Sequence, residues 1–173
     1  MRQYNFFTSR FFNAFDIELD VKPYLMMVTD VYFAEQTALD PFSDVIQIIG
    51  RFRNGVTSIE HITNVNYDLP QRSEEELCSF MDTSENVYET LRKFYDAAPN
   101  KGAREAYRAA MESLPFNRML DRNGHKNWFA IDNYVNDALV IGYYHDNKSL
   151  HAAYLQHDDI PVSYTHLRAH ETK

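Results

Sequence analysis

Gln47, Gly50, Arg51 and Arg53 are the residues whose types and spacing could do chemistry in this chain. Arginine offers a permanent planar cation with several N–H donors, matched to phosphate oxygens. A glycine directly before it lets a ligand or another backbone approach closely. All four lie in Asp44-Val-Ile-Gln-Ile-Ile-Gly-Arg-Phe-Arg-Asn-Gly55. Ser43 or Asp44 can cap a helix there, and Gly55 suits its stop. A helix over 44–54 puts Gln47, Gly50, Arg51 and Asn54 on one face and turns Ile46 and Ile49 toward a core. Taken alone, the segment is an amphipathic helix with solvated arginines. A second segment upstream changes its meaning.

The elements around it must position those side chains. Residues 3–8 are aromatic-rich and read as a strand. A polar loop leads from Thr8 into a short helical turn ending at Ile17. Residues 23–30 are continuously apolar, as a buried parallel strand would be. A loop through Pro41 reaches the arginine helix, and residues 58–65 form a third strand with Ile59 and Ile62 as apolar contacts. Strands alternating with a helix predict α/β organisation with a largely parallel sheet. Beyond a boundary at residues 66–73, the pattern turns helical. Ser73-Glu-Glu-Glu76 is a capping box opening a helix to about Met81. Thr83 or Ser84 caps the next, with Val87, Leu91, Phe94 and Ala98 at helical spacing. Pro99-Asn100 breaks it. Ala103, Tyr107, Ala110 and Leu114 mark another helix, ended by Pro115. An apolar stretch runs from Trp128 through Val140, and residues 149–156 form a last short helix. Its aromatic stripes are read as core rather than as stacking platforms for bases.

Thr8-Ser9 followed by Ala14-Phe15-Asp16-Ile17 resembles the fifth motif of superfamily 2 helicases, where a threonine and a small polar residue precede Gly-x-Asp-Ile. Gln47-x-x-Gly50-Arg51 resembles the sixth motif, Gln-x-x-Gly-Arg-x-x-Arg. Their order, separation and intervening strand match the end of the second RecA-like lobe of such motors. The resemblance implies a partial RecA-like parallel sheet over residues 1–66, followed by a helical extension over 67–161. It implies ATP and Mg²⁺ as cofactors, bound mainly by an N-terminal lobe, and DNA or RNA as partner. Arg51 and Arg53 would face the ATP phosphates, Gln47 would hydrogen-bond near the γ-phosphate, and Gly50 would belong to the same nucleotide-binding segment. Asp16 would contact the ribose or couple the lobes, and Thr8 and Ser9 would touch the nucleic-acid backbone. Two positions depart from the pattern. Ala14 replaces the motif glycine, and Arg53 stands one residue early, with Asn54 in the expected place. On a continuing helix that step turns the side chain by about 100°.

No Gly-x-x-x-x-Gly-Lys-Ser/Thr loop occurs, and no paired-acid motif follows a strand. The chain alone is therefore expected not to hydrolyse ATP, and Met1 is read as an internal methionine. The other reading is a non-enzymatic α/β-plus-helical module whose Arg51 and Arg53 bind an acidic partner. With 173 residues, 45% hydrophobic and 14% aromatic, the composition is globular. The net charge of −8 argues against holding nucleic acid by bulk electrostatics, though not against a local grip. One cysteine, Cys78, excludes an internal disulfide and fits a cytoplasmic setting, as does the lack of a signal peptide or membrane-length apolar run. Asp121-Arg-Asn-Gly-His125 opens like a calcium loop but lacks the later acid, so it reads as a turn. His145, His151 and His157 are too far apart for a metal cluster and read as surface histidines. Residues 162–173 resemble the translation of a sequencing-library adapter, so His166 and His170 are set aside as an artefactual tail.

Overall fold

A computed structural model of the chain describes residues 4–8 and 16–156. The chain is mixed α/β, with five α-helices and a two-stranded parallel sheet among the described residues. It divides into two compact units, one drawn from residues up to Leu69 and again from Tyr143 onward, the other from Pro70 to Gly142. The residues after 66 are thus divided between the two units.

In the first unit, β1 (Tyr24–Val28) and β2 (Ser58–Ile62) pair in parallel, with Tyr24 opposite Ser58 and Val28 opposite Ile62. A parallel pair needs a crossover, which α1 (Asp44–Gly50) supplies. The apolar run of β1 does not bury both faces, as had been expected of it. Met27 points inward and is buried, but Tyr24 is 78% and Val28 68% exposed on the other side. Residues 4–8 form no strand.

The start of α1 is built by acids. Asp40 is buried; its carboxylate accepts the Phe42 N–H at 2.9 Å and the Ser43 hydroxyl at 2.7 Å. Asp44 in turn accepts the Asp40 N–H at 3.0 Å. Ser43 stands at the N-cap without using its side chain on the helix. The inward residues are Val45 and Ile48, not Ile46, which is 45% exposed, and Ile49 is only half-buried. With four branched apolar residues on seven positions, periodicity alone points in more than one direction. The helix ends at Gly50 rather than near Asn54. Gly55 instead closes the turn beyond it, with φ at +78° and its N–H bonded to the Phe52 carbonyl.

The rest of this unit comes from the far end of the described chain. Asp146 caps α5 (Asn147–Leu155) by accepting the Ser149 N–H at 2.8 Å. Leu150, Ala153 and Tyr154 are its buried residues. Tyr144 is fully buried, and its hydroxyl donates to the Leu39 carbonyl and accepts from the Leu39 N–H, each at 2.9 Å.

The second unit is helical. Ser73 and Glu76 form the expected capping box at the start of α2 (Glu74–Asp96). That helix runs unbroken through the second start expected at Thr83 or Ser84. Neither glycine nor proline interrupts it there, and both hydroxyls have other partners. Thr83 donates back to the Ser79 carbonyl, while Ser84, buried, accepts the Phe116 N–H at 3.2 Å. The buried stripe of α2 is Leu77, Met81 and Ser84, whereas Val87 and Phe94 are exposed. Asn100 caps α3 (Lys101–Ser113). After Pro115 a short 3-10 turn brings Phe116 and Met119 into a core with Leu77, Met81, Ile131 and Val135. The last two come from α4 (Trp128–Tyr143). Residues 121–125 form the expected turn, the Asp121 carboxylate accepting the Asn123 and His125 N–H groups, with Gly124 at φ +78°.

Candidate functional site

The two motif segments meet through their backbones. The Ile17 N–H donates to the Arg51 carbonyl at 2.7 Å, and the Arg53 N–H donates to the Ile17 carbonyl at 3.0 Å. This is an isolated parallel bridge between Ile17 and Phe52, and Ile17 is buried. Downstream the contact continues: Asn54 donates to the Leu19 carbonyl, and Thr57 donates through its hydroxyl to Lys22 and through its N–H to Pro23.

Bridging at Ile17 leaves Asp16 beside both arginines. Arg51 Nη1 reaches Asp16 Oδ1 at 3.3 Å, and Arg53 Nη2 reaches Oδ2 at 2.6 Å. One carboxylate therefore engages two guanidiniums, one on each oxygen. The side chains keep 41%, 30% and 53% of their surface for Asp16, Arg51 and Arg53. The Arg53 hydrogen bond, with the charges of both arginines, holds the Asp16 carboxyl below its ordinary value of 3.8 against some desolvation. Two guanidiniums held on the two oxygens of one carboxylate are arranged as an oxyanion would also engage them.

The one-residue offset of Arg53 loses its force here. It mattered on a continuing helix, but α1 has ended, and residues 51 and 53 reach one carboxylate from either side of the bridged Phe52. Gln47, one turn back on α1, and Gly50, directly before Arg51, are exposed, and the Gln47 carbonyl accepts the Arg51 N–H. A Cβ on Gly50 would meet nothing within 4 Å, so packing does not demand glycine there. Thr8 is exposed, and Ser9 and Ala14 lie outside the described residues. Lys22 was not foreseen: a Cβ on Gly55 would lie 3.8 Å from its ammonium, which brings a third cation to the turn after Arg53.

A second polar cluster, also unforeseen, lies where the inner face of the sheet meets α5. His61 Nε2 is 3.0 Å from the Thr29 hydroxyl, and His61 Nδ1 is 2.7 Å from the Tyr154 hydroxyl. Thr29 donates to Thr63, which donates to the Asn64 carbonyl. With its proton committed to Thr63, Thr29 accepts from Nε2, and Nδ1 accepts from Tyr154. That chain requires a neutral imidazole protonated on Nε2. Burial pushes the His61 pKa down to about 4 and the Tyr144 hydroxyl up to about 12. Polar side chains at Thr29 and His61, aligned with the inward Met27 in a parallel sheet, are the sequence signal for this cluster.

Among the described residues no group of three or more histidine, cysteine or acidic side chains could hold a metal ion. His145 bonds the Leu69 carbonyl at 2.8 Å. No described helix is long and apolar enough to cross a membrane. Comparison with family models, curated proteins and solved structures finds no match to this chain.

Proposed function

We propose that this chain is part of a superfamily 2 helicase or translocase and contributes the second-lobe side of an ATP site. The observation that carries the reading is the junction of Asp16-Ile17 with Arg51-Phe52-Arg53, two segments that must act at one site if they are the fifth and sixth motifs. In this reading β1, α1 and β2 are the end of a RecA-like lobe. Arg51 and Arg53 bind phosphate oxygens, and Gln47 hydrogen-bonds beside them. Bound ATP would supply the γ-phosphoryl group for transfer to water. Positive charge fixed against the phosphoryl oxygens stabilises such a transition state, so the contribution of this chain is electrostatic and positional. Thr8 and Ser9 are assigned to the backbone of DNA or RNA. Mg²⁺ is assigned no ligand from this chain.

Arg51→Ala in the intact enzyme tests the reading. It is expected to lower the ATP turnover rate by about a thousandfold, the scale of an arginine finger, while most nucleotide binding persists. An unchanged turnover rate removes Arg51 from the role. One observation favours the second reading, a non-enzymatic module for an acidic partner: both arginines already hold a carboxylate. A phosphate-binding loop and an acidic motif encoded upstream of Met1 would decide for the motor. A stop codon directly before Met1 would decide for the module.

A further inference from the structure

We propose that Asp16 is an internal stand-in for the ligand, occupying Arg51 and Arg53 until a phosphate displaces it. The inference rests on the phosphate-binding reading above, and it gives Asp16 a role other than the ribose or lobe contact expected of it. Asp16 uses each of its two oxygens on a different arginine, so it holds the two guanidiniums around one anion. A phosphate group offers the same arginines more oxygens and more charge. It cannot share the donors with Asp16 without placing two anions in contact, which costs free energy through like-charge repulsion.

The exposure of the trio makes the exchange feasible. Ion pairs whose side chains keep a third to a half of their surface in water are weak, so the carboxylate leaves readily. The Ile17–Phe52 bridge stays in place as it does so, because its bonds are between main-chain groups. The arginines therefore remain at the junction whichever anion they hold. Asp16 screens them from adventitious anions and sets a threshold that a weak, singly charged ligand does not pass.

Inorganic pyrophosphate titrated into the full 173-residue chain is the test. Asp16→Asn, and Asp16→Ser as a second variant, are expected to tighten its binding about tenfold, the release of two such pairs. Arg51→Ala is expected to abolish binding. Binding that Arg51→Ala abolishes but that neither Asp16 variant tightens would overturn the stand-in while leaving the phosphate site intact. No pyrophosphate binding to any of these proteins would overturn both. A measurement without substitution runs in parallel: carboxyl-carbon chemical shifts across pH follow Asp16 itself. Saturating pyrophosphate is expected to raise its pKa toward the ordinary aspartate value, since the arginines have been taken away. An unmoved pKa would mean that pyrophosphate binds without taking the arginines from Asp16, against the proposal.

Discussion

The two polar clusters of the first unit are built from similar numbers of groups and behave oppositely. Asp16, Arg51 and Arg53 are charged and half in water, joined to one another by side chains that a modest free energy separates. Thr29, His61 and Tyr154 are neutral and set between strand and helix, where every broken hydrogen bond leaves a group without water. The first arrangement suits exchange with a ligand. The second suits holding α5 on the sheet. A polar cluster is thus read less by its residue types than by whether solvent can replace its partners.

Acid should break this contrast most strongly. The unfolded chain takes a proton on His61 near the ordinary value of 6.5, whereas the folded chain resists until about 4. Stability is therefore unaffected by this group above pH 6.5 and falls as pH drops from 6.5 to 4, by about 3 kcal/mol in all. Amide hydrogen exchange in β1 and β2 would report that loss. His61→Asn, which cannot titrate, should flatten the slope; an equally steep fall in the variant would assign the effect elsewhere. Asp16 titrates the same way in sign, its stabilisation present above the ordinary aspartate value of 3.8 and lost only as pH falls lower.

Tyr144→Phe comes next. It removes one hydroxyl and leaves both the N–H and the carbonyl of Leu39 short of a partner, at a cost of about 1–3 kcal/mol in chemical denaturation. A loss of a few tenths would mean that water reaches Leu39. The smallest effect belongs to Asp16→Asn, expected to leave the denaturation midpoint almost unchanged, with what change there is vanishing in high salt. A loss as large as that of Tyr144→Phe would make the arginine trio a structural element and erase the distinction.

Local signals were legible in the sequence wherever a single residue type carries the physics. The capping box at Ser73, the stop at Pro115 and the turn at Asp121 are local hydrogen-bond chemistry. Both strands of the parallel pair were also readable. The inward face of α1 was not, because Val45, Ile46, Ile48 and Ile49 cover too much of a short helix for periodicity to choose. The unbroken course of α2 through Thr83 and Ser84 depended on Phe116, a residue 32 positions beyond Ser84. Of the candidate site, the convergence of Asp16 with Arg51 was implied by the paired motifs. Admission of Arg53 depended on where α1 stopped. Thr29 and His61 left a signal in their register with Met27, but their partner Tyr154 lies on α5, too distant in sequence to be read with them.

That distance has a consequence during synthesis. The first unit takes residues up to Leu69 and then waits for the segment beginning at Tyr143. At about 5–20 residues per second, the ribosome needs roughly 4–17 s to go from Leu69 to the end of α5. For most of that interval Leu39 lacks Tyr144, and His61 lacks Tyr154 almost to its end. The helical unit between them is complete before the unit that precedes it.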